Sequence, residues 1–486
     1  KQKLRFRFAF LSACTIFAEL QTVYMDKTNQ FNELGEKPIG SLLMEYAIPA
    51  IVAMAASSIY NIIDGIFIGQ GVGDGAIMGL ALTGPVMSLT AAFGAMVGVG
   101  ASTLMSVRLG QKDYDTARNI LGNVVIMNVA MGLVLGLVLQ LFLAPILRFF
   151  GASDYTLPYA YDFMTIILAG NAVTHLYLGL NALLRSTNRP RKAMYATFGT
   201  VVLNCIFAPL FIFVFHWGIR GAAAATILSQ LIMLLWQLHL FSNKNDMIHL
   251  NRGIMKLRRK IVTESLIIGL PPFLINLCAC LVAVIVTRSM TTYGGDVSVG
   301  SFGIVNRLAL FVVMVVIGIN QGMQPIAGYN FGARKYDRLL SVLKKALIFG
   351  TVVTCIGFVV GTFFATPCVS LFAKDSPELI EKSAQGLRTV VMFFPVVGIQ
   401  IVSTSFFQSI GYAGKSIFLS LTRQLIFLLP ALLVMPHFFD NPVLGVWYAM
   451  PTSDALASIL AIVMLVVQVR KFKSEMNRPN LGNANQ

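Results

Sequence analysis

Asp64 is the residue around which the chemistry of this sequence gathers. It closes the pattern Tyr60-Asn61-Ile62-Ile63-Asp64, inside a long apolar stretch and about six residues from that stretch's far end. A carboxylate at membrane depth is costly unless it is paired or hydrated. Desolvation favours the neutral acid, whereas an opposing cation favours the carboxylate. A group so placed can exchange a proton for another cation. The rival reading is a capping or interfacial residue in contact with outside water. Asn181, Asn204 and Thr226 also lie within apolar stretches of the same half of the chain. Amides and hydroxyls are common glue between membrane helices, yet four oxygen-bearing groups in one half suggest a site.

The second half carries Arg307, Arg388, Arg423 and Asp454 in its apolar stretches. Three of them, Arg307, Arg388 and Asp454, lie about 12 to 15 Å deep if each residue rises about 1.5 Å. A structural ion pair between Asp454 and an arginine competes with a direct part in substrate or proton handling. His175 stands alone and reads as a hydrogen-bonded packing residue. Gly94, Gly98 and Gly100 allow close helix approach rather than forming a nucleotide loop, since no Gly-Lys-Ser/Thr follows them. No His-Glu-x-x-His or Gly-x-Ser-x-Gly accompanies the scattered acids, so the chain is not read as an enzyme. Cys205, Cys278, Cys280, Cys355 and Cys368 read as small packing residues without a metal site or disulfide.

The elements that must hold these residues follow from composition. Of 486 residues 56% are apolar and 12% charged, about half the charge of an ordinary globular domain, where about a quarter of residues are charged. Mean hydropathy is +0.74, and the expected solvent is the bilayer. Apolar runs long enough to cross it fall near 41–69, 79–107, 119–147, 156–186, 194–216, 221–241, 261–290, 299–326, 342–372, 380–410, 416–437 and 444–469. They are far too long for barrel strands, so each is a helix that satisfies its own backbone. Basic residues number 23 in the hairpins after even spans and the C-terminal tail, against five on the other side. Both termini are therefore expected in the cytoplasm. The net charge of +16 is topological, and nucleic acid is not an expected partner.

Residues 1–24 combine a basic start, an apolar run and Leu11-Ser12-Ala13-Cys14, which matches a lipoprotein cleavage box. A cleaved signal would place Lys27 to Lys37 outside, against the loop count. The segment is therefore read as foreign to the fold, with Met25 opening a stretch suited to a native start. The expected organisation is an extension over 1–36, an N-lobe over 37–241, a cytoplasmic interlobe linker and hinge over 242–260, a C-lobe over 261–470 and a tail over 471–486.

Sliding the second half over the first by 222 positions lays Ala47-Ile48-Pro49 on Gly269-Leu270-Pro271 and Gly73-Asp74 on Gly295-Asp296. It also lays the segment from Gly110 to Asp115 on that from Gly332 to Asp337. One residue further along, Ser186 and Lys192 meet Ser409 and Lys415. Spans 1–6 and 7–12 thus read as repeats, parallel because six is even. The expected fold is an all-α polytopic membrane protein of twelve transmembrane helices in two six-helix lobes, related by a pseudo-twofold axis along the membrane normal. A cleft between such lobes can be exposed alternately to each side, which is the architecture of a carrier.

At these residues the sequence resembles the multidrug and toxic compound extrusion (MATE) transporters, and within them the DinF-like branch. The resemblance covers essentially 37–475. It rests on Tyr60-Asn61-x-x-Asp64, on Leu183-Leu184-Arg185-Ser186 followed by Ala193-Met194-Tyr195, and on Leu203-Asn204-x-x-x-Ala208-Pro209-Leu210-Phe211. Its most specific part is Gly318-Ile319-Asn320-Gln321-Gly322-Met323-Gln324-Pro325-Ile326-x-Gly328-Tyr329-Asn330-Phe331-Gly332.

The resemblance implies that Asp64 is the coupling residue and that its protonation accompanies bending of span 1 at Pro49. It also implies a cation site completed by Asn204, the Ala222 carbonyl and Thr226, with Asn181 close by. One acid of that pattern is missing, since Ala208 stands before Pro209, and a dehydrated Na⁺ wants several oxygen ligands. The acid that the NorM-like branch has in span 7 is absent after Pro271 and Pro272.

The expected activity is secondary efflux of organic, often cationic or amphipathic drugs or toxic metabolites in exchange for H⁺ or Na⁺, without ATP or another cofactor. Tyr60, Asn61, Gln321, Gln324, Arg307 and Asp454 are candidates to line the cleft. The expected setting is the bacterial inner membrane, with the chain acting as a monomer in the lipid bilayer. A lipid-linked oligosaccharide flippase of the same superfamily is the nearest alternative, and a non-transporting membrane receptor the next.

Overall fold

The structure, a computed structural model, describes residues 32–372 and 376–477. The readings made for residues 1–24, Lys374 and Arg478 fall outside the described residues. Every expected span is helical: α1 (Ile39–Val72), α2 (Asp74–Gly110), α3 (Tyr114–Leu141), α4 (Leu157–Ala169 with Asn171–Ser186), α5 (Pro190–Val214) and α6 (Gly218–Phe241). The second set is α7 (Arg259–Gly295), α8 (Val297–Gly332), α9 (Tyr336–Phe363), α10 (Pro377–Ser409), α11 (Ala413–Phe438) and α12 (Pro442–Met476). Eleven are long, apolar helices, and α4 is a pair bent by 56° at Gly170.

Local chemistry sets the ends. Asp113 caps α3 by accepting from Thr116 N at 3.1 Å, which satisfies one of the donors that a helix start leaves open. Pro190 and Pro442 each open a helix at a position where the missing N–H costs nothing. Pro49 lies inside α1, and the helix passes through it without a break. The ring leaves the carbonyl one turn earlier without its usual donor.

The duplication is visible in the backbone. The chain reverses between α1 and α2 at Gly73 (φ +106°) and between α7 and α8 at Gly295 (φ +65°), 222 positions later. Lys112 and Arg334, again 222 apart, both take positive φ at the α2–α3 and α8–α9 turns, a conformation that few non-glycine residues adopt. Where α4 bends at Gly170, α10 carries a short 3₁₀ turn at Val391–Phe393.

Between the lobes, backbone meets backbone. A methyl group at Gly110 would overlap the Tyr329 carbonyl oxygen, and one at Gly332 would overlap that of Val107. These are the same contact seen from either lobe. Gly100 likewise lies on Ser265 and Gly269, as Gly322 lies on Ala47. Arg108 Nη2 pairs with Glu264 Oε2 at 2.9 Å, and Gln324 Nε2 donates to Thr103 Oγ1 at 3.1 Å. From α9, Arg338 donates to the Lys37 carbonyl at 2.7 Å. All these contacts lie toward the end of the bundle that carries the basic loops.

The linker is no free tether. Arg118 Nε donates to the Met247 carbonyl at 2.9 Å, and Arg189 pairs with Asp246 at 2.7 Å. Asn123 accepts from Arg258 N at 2.8 Å and donates to the Lys256 carbonyl at 3.1 Å. The segment is therefore stitched to the N-lobe up to the first residues of α7, and any hinge is confined to that junction.

Gly110→Ala or Gly332→Ala should wedge the basic ends apart. Overpacking costs about 1–3 kcal/mol, so the closed population should fall about fivefold or more. Distances between spin labels on the α2–α3 and α8–α9 turns would lengthen, and unchanged distances would show that the contact is not a lock.

Candidate functional site

The N-lobe brings residues from three helices to one point. Tyr60 of α1 places its hydroxyl 3.0 Å from Thr226 Oγ1 of α6. Asn204 of α5 donates through Nδ2 to Thr226 Oγ1 at 3.1 Å and to the Tyr60 hydroxyl at 3.4 Å. Thr226 in turn donates to the Ala222 carbonyl at 3.1 Å. Asn204, Thr226 and Ala222 are buried. Three of the residues expected at the coupling site, Asn204, Thr226 and Ala222, thus form one hydrogen-bonded cluster with Tyr60, a residue expected to line the cleft.

Asp64 sits one helical turn beyond Tyr60 on α1, and helical neighbours four apart share a face. Its side chain is buried at 7% exposure, and its Oδ1 has no hydrogen-bond partner. A buried carboxylate oxygen without a donor is expensive. A proton, a cation or a hydrogen-bond donor such as water can answer it. Ala208, one turn after Asn204, is fully buried among apolar side chains with Phe211 and Ile212, so α5 offers no second acid.

Asn181 does not join the cluster. It donates to the Ala193 carbonyl at 3.0 Å and to Thr197 Oγ1 at 3.2 Å, and accepts from Arg185 Nη1 at 2.6 Å. It shares with the cluster a cavity of about 500 Å³, whose wall includes Tyr60, Asn181, Arg185, Asn204, Thr226 and Gln230. In the sequence Arg185 is part of the Leu183-Leu184-Arg185-Ser186 pattern and of the basic count after span 4, not a site residue. Its place one turn after Asn181, with helical side chains leaning toward the N-terminus, was the available signal. Asn61 falls outside the residues whose side chains are described. His175 is fully buried, with Nε2 2.9 Å from the Thr90 carbonyl and its ring against Gly94, the packing role expected of it.

In the C-lobe, Gln321 and Gln324 line a second cavity of about 400 Å³ with Asn320, Gln400, Gln408 and Arg423. Gln321 also lines the N-lobe cavity, which places it between the two. Asp454 pairs through Oδ1 with Arg423 Nε at 2.8 Å. Arg307 and Arg388, though similar in depth, are not its partners: both are exposed, and Arg388 donates to the Thr362 carbonyl at 3.3 Å. Arg423 reaches Asp454 from a π-helical stretch, Thr422–Leu428, whose wider turn changes which way side chains leave the helix. Ser453 donates to the Arg423 carbonyl at 2.6 Å. Among the described residues no three His, Cys, Asp or Glu side chains group as metal ligands.

The MatE family model matches twice, at residues 49–210 and 271–433, with the spacing of the internal repeat. The multidrug export protein MepA of Staphylococcus haemolyticus (strain JCSC1435) is 26% identical over 439 residues, which cover 90% of this chain and 96% of that protein. A solved structure of the outward-facing conformation of a multidrug resistance MATE family transporter of the MOP superfamily superposes with a TM-score of 0.85 at 23% identity. It covers 91% of this chain and 98% of its own. A MOP superfamily transporter from Pyrococcus furiosus gives 0.83 at 23% identity, with the same coverage.

Removing one member of the C-lobe pair leaves the other buried. Arg423→Ala should destabilise the protein by up to about 3 kcal/mol, less than a fully buried pair would, because the guanidinium side chain is 30% exposed. The double variant Arg423→Met with Asp454→Leu should recover most of the loss in a thermal unfolding assay. Equal stability of the single variant and the native chain would make the pair energetically idle.

Proposed function

Because the chain belongs to the MatE family, we propose that it is a secondary multidrug antiporter, expelling organic, often cationic or amphipathic compounds against inward movement of H⁺. Its family members are transporters and not enzymes, and its many apolar helices make it a multi-span membrane protein. Within the family we assign it to the DinF-like branch, on the Tyr60-Asn61-x-x-Asp64 pattern and the lack of an acid in α7 after Pro272. We place it in a bacterial inner membrane with the basic loops and both termini cytoplasmic.

The observation that carries this reading is the buried, unpartnered Oδ1 of Asp64 beside the Tyr60–Asn204–Thr226 cluster. The interlobe contacts gathered at the basic end support a cleft that opens on the opposite side, toward the outside. In that state a proton reaches Asp64 and neutralises it. Neutralisation changes what α1 can hold near Tyr60, substrate is released outward, and the return of the emptied lobes carries the proton to the low-proton side. Proline removes one backbone restraint on α1 at Pro49, so this helix is the element that responds.

Proton coupling fits better than Na⁺. The Ala222 carbonyl is already bonded to Thr226 and Asn204 turns its Nδ2 toward the cluster, while Ala208 supplies no oxygen. A hard cation would find one carboxylate where it wants several ligands. The flippase alternative gains no support from the C-lobe arginines, since Arg423 is committed to Asp454 and Arg307 and Arg388 line neither the N-lobe nor the C-lobe cavity.

Dye efflux from proteoliposomes with each gradient imposed alone tests the assignment. A pH gradient should drive efflux and a Na⁺ gradient should not. Asp64→Asn should fold with unchanged thermal stability yet lose gradient-driven efflux by about tenfold or more, because an amide can neither bind nor release the coupled proton. Retained efflux in that variant would refute the coupling role.

A further inference from the structure

We infer that the N-lobe cavity carries a built anion anchor, Arg185, and so takes amphipathic compounds that bear a carboxylate, anionic or zwitterionic, with the carboxylate on the guanidinium. This rests on the export reading above and narrows its substrate class.

The basis is an imbalance of charge. Of the other arginines at the N-lobe's basic end, Arg108 has Glu264, Arg118 has Asp115 and Arg189 has Asp246, while Arg191 is exposed. Arg185 has none; no carboxylate among the described residues comes within 4.0 Å of it. Its one bond to another side chain is Nη1 to the neutral Asn181 Oδ1 at 2.6 Å. The remaining guanidinium donors are not buried without a partner, and the residue lines the cavity. A guanidinium carries five donors in a planar fork that matches a carboxylate. In a site partly withdrawn from water, such a cation is answered by an anion or by trapped solvent.

The rest of the wall suits the same ligand. Tyr177, Thr197 and Thr200 set hydroxyls near the arginine, while Ala53, Met54, Leu178 and Val201 offer an apolar flank. Methionine and small apolar side chains tolerate varied shapes. The far part of the wall is Tyr60, Asn204 and Thr226, one helical turn from Asp64. A compound held by its carboxylate at Arg185 would extend toward the coupling cluster, where the protonation of Asp64 can be felt. Asp64 itself does not line the cavity, so it neither cancels the arginine's charge nor competes for it.

Rhodamine B and its ethyl ester form a matched pair, identical except that the ester lacks the carboxylate. Binding is read by fluorescence polarisation on the full chain in phosphatidylcholine nanodiscs, and efflux in proteoliposomes. The native chain should bind the acid about tenfold or more tightly than the ester, the scale of a charge-assisted bidentate contact. Arg185→Gln, which keeps a donor for Asn181, should abolish the preference by weakening binding of the acid. Arg185→Lys should keep a reduced preference, and this variant retains the charge should glutamine impair folding. Equal affinities in the native chain, or a preference that survives in Arg185→Gln, would overturn the inference. Titrating phosphatidylglycerol into the nanodiscs separates the other source of an anion. Loss of the acid's preference there would assign Arg185 to a lipid phosphate and overturn the small-molecule assignment. If the ester is not exported under either gradient, the export reading fails instead.

Discussion

Inside a bilayer no water is at hand to answer a polar group, so each one must find its partner within the protein. Most do here. Asp454 finds Arg423, His175 finds the Thr90 carbonyl, and Asn204 and Thr226 find each other and Tyr60. Two groups of the N-lobe stand apart. Asp64 has a carboxyl oxygen that accepts nothing, and Arg185 has a charge that no acid meets. They are opposite in sign, and Arg185 lines the cavity that Asp64 flanks.

The lobes themselves are held by a second constraint, the close approach of backbones. Glycine at 100, 110, 322 and 332 lets helices of opposite lobes touch without side chains between them. Without a hydrophobic drive between helices in lipid, such packing contributes much of the association. It is also abrupt: a contact this tight is either made or broken. Contacts of this kind favour discrete arrangements of packed elements over a continuum.

Much of this was legible beforehand, for identifiable reasons. A span of some twenty apolar residues has one solution in lipid, so all twelve helices could be read, though single ends differ from the observed ones by as much as nine residues, as at 372 against Phe363. The repeat was legible because turns need special residues, and Gly73 with Gly295, and Lys112 with Arg334, keep the same positive φ in both halves. The bend of α4 at Gly170 was not, and there the Ile227 side chain of α6 occupies the place that a side chain at 170 would take. Arg185 was counted as a loop charge because its position at the end of a helix looks cytoplasmic, while its side chain leans back into the cavity. The partner of Asp454 was open among several arginines, and a local π-helical stretch settled it on Arg423.

The sequence by itself determined what each segment is made of: apolar length dictates helices, and an internal repeat dictates two lobes. Only the tertiary structure decided which polar groups meet. Hydrogen bonds and ion pairs reach about 3 Å, whereas helical spacing locates a residue only along and around its own helix. Tyr60, Asn204 and Thr226 lie 144 and 22 positions apart along the chain, and nothing short of the packing of α1, α5 and α6 brings them together. For the same reason packing alone separates Asn181 from that cluster and gives Arg185 a cavity to face.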